Sequence, residues 1–340
     1  MKYKLSVVIP TLNAASVIVP CLESIKTQSF DMSKVEIIIG DGGSTDDTVE
    51  LVKRYGAKVV HNPLKTAESG KAVAVKSCKG EYIALIDSDN VLPNNNWIKE
   101  MIEPLEKHPG AVGSEPYKYT WRKEDSYITR YSALTGVNDP LVIFLGNYDR
   151  WNLLTNKWTE VPRKEEEHKN YYLVRFDKRG LPTIGANGPV FRASFLKNNL
   201  EDDYLFDIDI LAKYIQDNGH VEFIKVKNGI VHTYCEGDIL KFARKQKRRI
   251  KDYLFHQSQK NRFYNWDFSG SNLFGITKFI IYCLTFIPLL VQSIVGYVRK
   301  PDVAWFFHPI ACYVTLWVYG WERIMGLFSK GEVSRDSWKQ

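Results

Sequence analysis

Two rhythms of apolar and polar positions alternate along the first 115 residues. Short apolar runs at 4–9, 35–39, 58–61, 82–86 and 111–114 are separated by amphipathic stretches at 16–27, 46–55, 70–78 and 97–107. Runs of strand length between segments of helical period predict an α/β unit with a parallel sheet, of the kind that binds nucleotides. The first run stops at Pro10, too short for the apolar core of a signal peptide, and reads as the first strand. From 116 to 182 the period is lost in a stretch rich in aromatic and charged residues, including Trp121, Trp151, Trp158, Tyr171, Tyr172 and the acidic run at 165–167. It reads as a lid or acceptor region. Regular patterning returns at 184–192, continues in a helix near 206–217, and ends in strands at 221–226 and 230–232.

Beyond this point the pattern changes in kind. Residues 279–298 hold no charged side chain, and as a helix kinked at Pro288 they would reach about 30 Å, enough to cross a bilayer core. A second apolar stretch, 303–321, is rich in aromatics and contains His308 and Pro309; it reads as a second crossing or as an interfacial helix. A buried helical hairpin of a soluble protein has the same pattern. The predicted organisation is a catalytic domain over 1–240 (a nucleotide-binding half, 1–115, and an acceptor half, 116–240), a basic juxtamembrane segment over 241–272, a membrane helical hairpin over 273–325 and a tail over 326–340. An even number of crossings would return the tail to the cytoplasm, the side on which a basic flank belongs.

Composition narrows the class. With 340 residues, 44% hydrophobic and 25% charged, the chain is neither disordered nor fibrous. Its five cysteines are scattered and lack Cys-x-x-Cys spacing, which suits a reducing compartment rather than a disulfide framework or zinc site. The formal charge of +7 is concentrated in 241–262, where nine Lys and Arg meet one acid, Asp252. Lying just ahead of the apolar segments and without a stacking platform, this block points to a membrane surface and not to nucleic acid.

The sharpest chemical signal is Asp87-Ser88-Asp89, at the end of the apolar run YIALI. Two carboxylates leaving a strand lie at the carboxyl edge of a parallel sheet, where α/β folds bind ligands. Hard oxygens there suit Mg²⁺ or Mn²⁺, which bridges phosphate oxygens and neutralises a departing diphosphate. The same residues also serve as ordinary turn chemistry. Asp41 ends the run VEIIIG and reaches the same edge, either to accept from a nucleobase or to cap the Gly42-Gly43 turn. Lys71 opens a helix and either approaches phosphate or is solvated. Arg244 and Arg248, one helical turn apart, suit phosphate or lipid head groups.

Taken in order, SVVIPTLN, VEIIIGDGGSTDDT and GEYIALIDSDN resemble family 2 glycosyltransferases of the GT-A fold, and the resemblance runs from Leu5 to about Arg249. It implies an α/β, Rossmann-like, mixed but mostly parallel sheet with helices on both faces. It also implies that Pro10, Thr11, Asn13 and Asp41 line the nucleoside site, that Lys71 approaches the diphosphate, and that Asp87, Ser88 and Asp89 form the metal motif. The acidic residue usual after Asn13 is replaced by Ala14 and Ala15. IGANGPVFRASFL resembles the acceptor-side strand, with Gly185 and Gly188 allowing close approach of a ligand. In LEDDYLFDIDILAKYIQDNG the family's general base falls on Asp207 or Asp209, with Asp202 as a fallback; a helix cap and a dipole partner are the structural alternative. His232 matches a histidine that completes the metal site. FARKQKRRI resembles the Gln-x-x-Arg-Trp motif of enzymes making polysaccharides and lipid-linked sugars, with Gln246 and Arg249 in place and Ile250 instead of Trp.

The resemblance implies inverting transfer of a sugar from a UDP or GDP donor, and the apolar segments with their basic flank point to a lipid-linked acceptor at the cytoplasmic face of the cell membrane. Two alternatives stand beside it: a polyprenyl-phosphate sugar synthase, whose ionised acceptor needs no base, and a catalytically silent membrane protein that binds sugar nucleotides.

Overall fold

The computed structural model describes residues 3–185, 187–200, 204–205, 207–258, 263–264 and 270–328. In chain order its elements are β1 (Tyr3–Thr11), α1 (Ile18–Lys26), β2 (Val35–Asp41), α2 (Thr48–Arg54), β3 (Lys58–His61), α3 (Ala67–Ser77), β4 (Gly80–Leu85), β5 (Asn90–Val91), α4 (Trp97–Lys107), β6 (Ala111–Tyr119), α5 (Tyr127–Thr135), α6 (Leu141–Leu145), β7 (Lys164–Glu167), β8 (Tyr171–Asp177), β9 (Val190–Arg192), α7 (Ala193–Asn198), α8 (Asp207–Asn218), β10 (His220–His232), α9 (Ile239–Ser258), α10 (Gly270–Thr285), α11 (Ile287–Arg299) and α12 (His308–Phe328). They form two compact units: Met1–Thr120 with Pro162–His232, and Trp121–Val161 with Thr233–Gln340. Residues 121–161, which the sequence places in an acceptor half, therefore belong with the C-terminal helices.

The first unit is built on a mixed sheet of order β3-β2-β1-β4-β9-β6-β10-β8-β7, with β5 paired to the end of β10. β1, β2, β3 and β4 run parallel, as do β6 and β10, and β9 joins the two groups antiparallel to both neighbours. The central strands are buried, with Val8, Ile9, Ile38, Ile39, Ile83 and Leu85 closed to solvent, which is why they read as continuous apolar runs rather than alternating ones. Helix α3 packs on β1 and β2, and α4 on β6 and β10. At the crossing of α3 over β2 a Cβ on Gly40 would lie 2.1 Å from the carbonyl oxygen of Gly70, so only glycine lets the backbones approach this closely.

Two segments differ from the pattern. The strand expected over 184–192 is limited to Val190–Arg192, because Gly185, Asn187 and Gly188 hold φ of 124°, 62° and 94° and cannot be extended. The aperiodic stretch contains the hairpin β7–β8; β7 is exposed along its whole length, so backbone pairing makes it a strand with no apolar alternation to read.

The second unit buries Ile128, Tyr131 and Leu134 of α5 against Phe242, Trp305 and Phe307. Asp302 ties its ends together, accepting from the Trp121 indole at 2.7 Å and from Arg130 Nε at 3.0 Å. The single kinked helix expected over 279–298 is corrected here. α10 stops at Thr285, Phe286 takes a φ of 61°, and α11 departs at 94°. Pro288 lacks an N–H and its ring would strike the carbonyl of Leu284, so it starts a helix instead of continuing one. The 24 residues of Val303–Gly326 are long and apolar enough to cross a membrane by themselves.

Candidate functional site

The parallel strands bring the candidate acids to one edge. Thr11 at the end of β1 is in register with Asp41 at the end of β2, and Val8 pairs with Leu85, two residues before Asp87. Asp41 is nearly closed to solvent and accepts from Thr11 Oγ1 at 2.9 Å, Ser44 Oγ at 2.6 Å, and the amides of Gly43 and Ser44, each at 2.9 Å. It therefore holds the turn after β2. Asn13 braces the same turn, taking the Thr45 amide on its Oδ1 at 2.8 Å, and Pro10 packs against α3 near Gly70.

Lys71, expected to face phosphate, is instead held between two carboxylates. Its Nζ lies 3.2 Å from Asp207 Oδ2 and 3.6 Å from Asp87 Oδ1. Burial works against its charge, but Asp207, Asp87 and Glu68 outweigh it and keep the ammonium protonated well above its usual range. Asp207 opens α8, the N-terminal turn expected from the sequence. Burial pushes its carboxyl up to about 7, against the attraction of Lys71 and with a contribution from Asp87. Its second oxygen, Oδ1, is buried without a hydrogen-bond partner. Such a carboxyl, one oxygen on a lysine and the other uncommitted, is suited to take a proton near neutral pH. Asp209, two residues along the helix, is also buried but is not the partner of Lys71. Asp202 lies outside the described residues.

A tight turn presents the other acids. Asn90 Oδ1 accepts from the Asp87 amide at 3.0 Å, and its own amide donates to the Asp87 carbonyl at 2.9 Å. Ser88 and Asp89 between them remain partly exposed. Because Asn90 pairs across β5–β10 with His232, the imidazole lands beside the turn, with Nε2 3.4 Å from Asp89 Oδ1.

Sequence reasoning missed the supports of this turn. Asn90 Nδ2 donates to Asn187 Oδ1 at 3.1 Å, and Asn187 Nδ2 to Tyr119 Oη at 3.1 Å, so the acids are linked to the loop before β9. Asn is the side-chain-bearing residue best suited to Asn187's left-handed backbone, which is the signal that could have found it. The glycines beside it serve packing: a Cβ on Gly185 would lie 2.2 Å from Cβ of Asp207, and one on Gly188 2.6 Å from Ile230 Cδ1. The ligand approach expected at Gly188 is thereby corrected, since its amide donates to Leu85 and its α-carbon meets the core. Gly185 N donates to Glu115 Oε1 at 3.1 Å, and Glu115 pairs with Lys225 at 2.6 Å, both fully buried. Replacing Lys225 by Met removes the countercharge of a buried carboxylate and is expected to cost roughly 3–5 kcal/mol of stability, measured by urea unfolding.

For a divalent cation, Asp87, Asp89 and His232 are the available donors. Among the described residues no three His, Cys, Asp or Glu side chains stand together as a preformed metal-binding group. Asp87 leans towards Lys71 while Asp89 meets His232. Mg²⁺ and Mn²⁺ typically take one or two carboxylates and complete their shell with phosphate and water, and two partly exposed carboxylates on one turn fit that open arrangement.

The remaining candidates belong to the second unit. Gln246 is buried, donating to the Asn138 carbonyl at 2.8 Å, and its Oε1 accepts from Arg249 at 2.6 Å. Arg249 lies 3.7 Å from Asp139. Both residues thus anchor α9 within its own unit, a correction to their expected role on acceptor phosphate. Arg244 and Arg248 are exposed on α9.

The glycosyl transferase family 2 profile matches residues 6–198, more than half of the chain. The chain belongs to this family. It is 33% identical over 205 residues to a poly(ribitol-phosphate) beta-glucosyltransferase of Bacillus spizizenii, covering 58% of this chain and 26% of that one. To the poly(ribitol-phosphate) beta-N-acetylglucosaminyltransferase TarS of Staphylococcus aureus it is 31% identical over 115 residues, covering 32% and 20%. The matches thus span about a quarter or less of these relatives' own length. A mannosyltransferase of Pyrobaculum calidifontis, solved with GDP-Man and Mn²⁺, superposes with a TM-score of 0.53 at 13% identity, covering 95% of this chain and 88% of that one, and shares the fold.

Proposed function

We propose that the chain transfers a sugar, with inversion, from a nucleotide-diphosphate donor to a hydroxyl of a lipid-linked acceptor at the cytoplasmic face of the cell membrane. The observation that carries this reading is the cluster Asp207–Lys71–Asp87 beside the turn bearing Asp89. In it, a carboxyl poised to accept a proton lies within two contacts of carboxylates suited to a nucleotide-bound cation. Asp87 and Asp89, with His232 beside Asp89, would hold Mg²⁺ or Mn²⁺, which when bound supplies positive charge to the diphosphate as it leaves. Asp207 takes the proton from the acceptor hydroxyl as it attacks the anomeric carbon. Lys71 keeps Asp207 oriented and balances its charge before the acceptor arrives. The relatives named for poly(ribitol-phosphate) and the solved mannosyltransferase bound to GDP-Man and Mn²⁺ support a sugar-nucleotide donor with a divalent metal and a polymer-type acceptor. The exposed apolar helices of the second unit support an acceptor carried on lipid.

The direct test is a panel of UDP and GDP sugars with purified chain in detergent, with and without Mn²⁺, read by thermal shift and by nucleotide release. One nucleotide class is expected to raise the melting point only when metal is present, by RT ln(1 + [L]/Kd) in free energy. A metal-dependent shift without nucleotide release from any donor leaves the silent-protein reading; no shift with any donor, alongside a cooperative melt, overturns the sugar-nucleotide site itself.

A further inference from the structure

We propose that the second unit docks on a bilayer from one side, seating α10, α11 and α12 in a single leaflet without crossing it. Phe274, Leu284, Ile287, Val298, Trp317 and Trp321 on these three helices are more than half exposed, far more apolar surface than water-facing helices carry. α10 and α11, of 16 and 13 residues, reach only about 24 and 20 Å, and the backbone turns by 94° between them.

α12 is long enough to cross, but what lies alongside forbids it. Its exposed residues Ile310, Tyr313, Trp317, Trp321 and Ile324 recur at steps of three and four and form one stripe. The face away from the stripe is bound to a charged helix. Glu322 lies 3.0 Å from Lys247 and 3.6 Å from Lys251, and Tyr319 Oη donates to Asp139 at 2.5 Å. At the other end of the apolar stretch Asp302 holds Arg130. If α12 crossed a bilayer it would carry α9, with Arg244, Lys247, Arg248 and Lys251, into hydrocarbon. Lying flat, the stripe enters the acyl boundary and its tryptophans sit at head-group depth, with α9 held on the side of α12 away from the lipid. This deepens the lipid-linked acceptor reading and rests on it for its purpose.

The test uses the full chain in bacterial cells. All five native cysteines are buried, so an impermeant maleimide reports on introduced ones. Lys241→Cys, Pro301→Cys and Gln340→Cys should all label in inverted membrane vesicles and none in intact spheroplasts. Labelling of 301 or 340 from the side opposite to 241 overturns the proposal and leaves the lipid-acceptor reading standing. In flotation, purified chain should rise with vesicles of phosphatidylcholine. The double variant Trp317→Glu, Trp321→Glu should stay at the bottom with an unchanged melting point. Wild-type chain that does not float overturns the proposal and counts against the lipid acceptor as well. Normal flotation without sugar transfer counts against the catalytic reading alone.

Discussion

Replacing Asp207 by Asn is expected to lower turnover by about 10²–10⁴-fold while nucleotide binding and the melting point stay near wild type. The substitution keeps the shape and the Lys71 neighbour but removes the basic oxygen. The wild-type pH profile carries the same information. A base acts only when deprotonated, and burial has raised this carboxyl to about 7, so kcat/KM should climb as pH rises towards that value and then level off. Lys71 holds the Asp207 value down, so Lys71→Met should move the rising limb to higher pH as well as lower its plateau. Profiles of the three proteins measured with one donor and acceptor decide the matter. Full activity of Asp207→Asn would point to an acceptor oxygen that is already ionised, as in a polyprenyl phosphate.

The second large effect is at the turn after β4. Asp89→Ala should reduce transfer by more than about 100-fold and abolish the metal-dependent part of nucleotide binding, both readable by calorimetry with and without Mn²⁺. Asp89 is partly exposed, so its loss should leave unfolding unchanged, which separates a site defect from a folding one. His232→Ala should weaken metal affinity less, because the imidazole stands behind Asp89, and the turn is built by Asn90 and not by the histidine. Equal metal-dependent binding in Asp89→Ala and wild type would remove the cation from this turn.

Much of the first unit was legible because buried parallel strands must be apolar on both faces and helices between them must be apolar on one. The runs at 4–9, 35–39 and 82–86 lie within β1, β2 and the β4 edge for that reason. The edge strand β7 escaped notice because exposed backbone pairing leaves no mark on side-chain polarity. Asp87, Asp89, Lys71 and Asp207 were all legible as chemically useful residues, yet the role expected of Lys71 was a phosphate contact. Nothing along the chain says that residue 71 lies 3.2 Å from residue 207. Glu115 and Lys225 do not stand out from the other charges of their strands, Lys118, Glu222 and Lys227, and their pairing required the register of β6 on β10.

Sequence alone determined the α/β alternation, the family, the acids at strand ends and the apolar C-terminal segments, because each depends on residue type and local spacing. Tertiary structure alone decided which acid faces Lys71, that Gln246 and Arg249 brace their own unit, and that the first apolar segment turns at Phe286. These outcomes depend on charges and backbones far apart in the chain meeting at a few ångströms, where burial and pairing set proton affinity and where a helix can end.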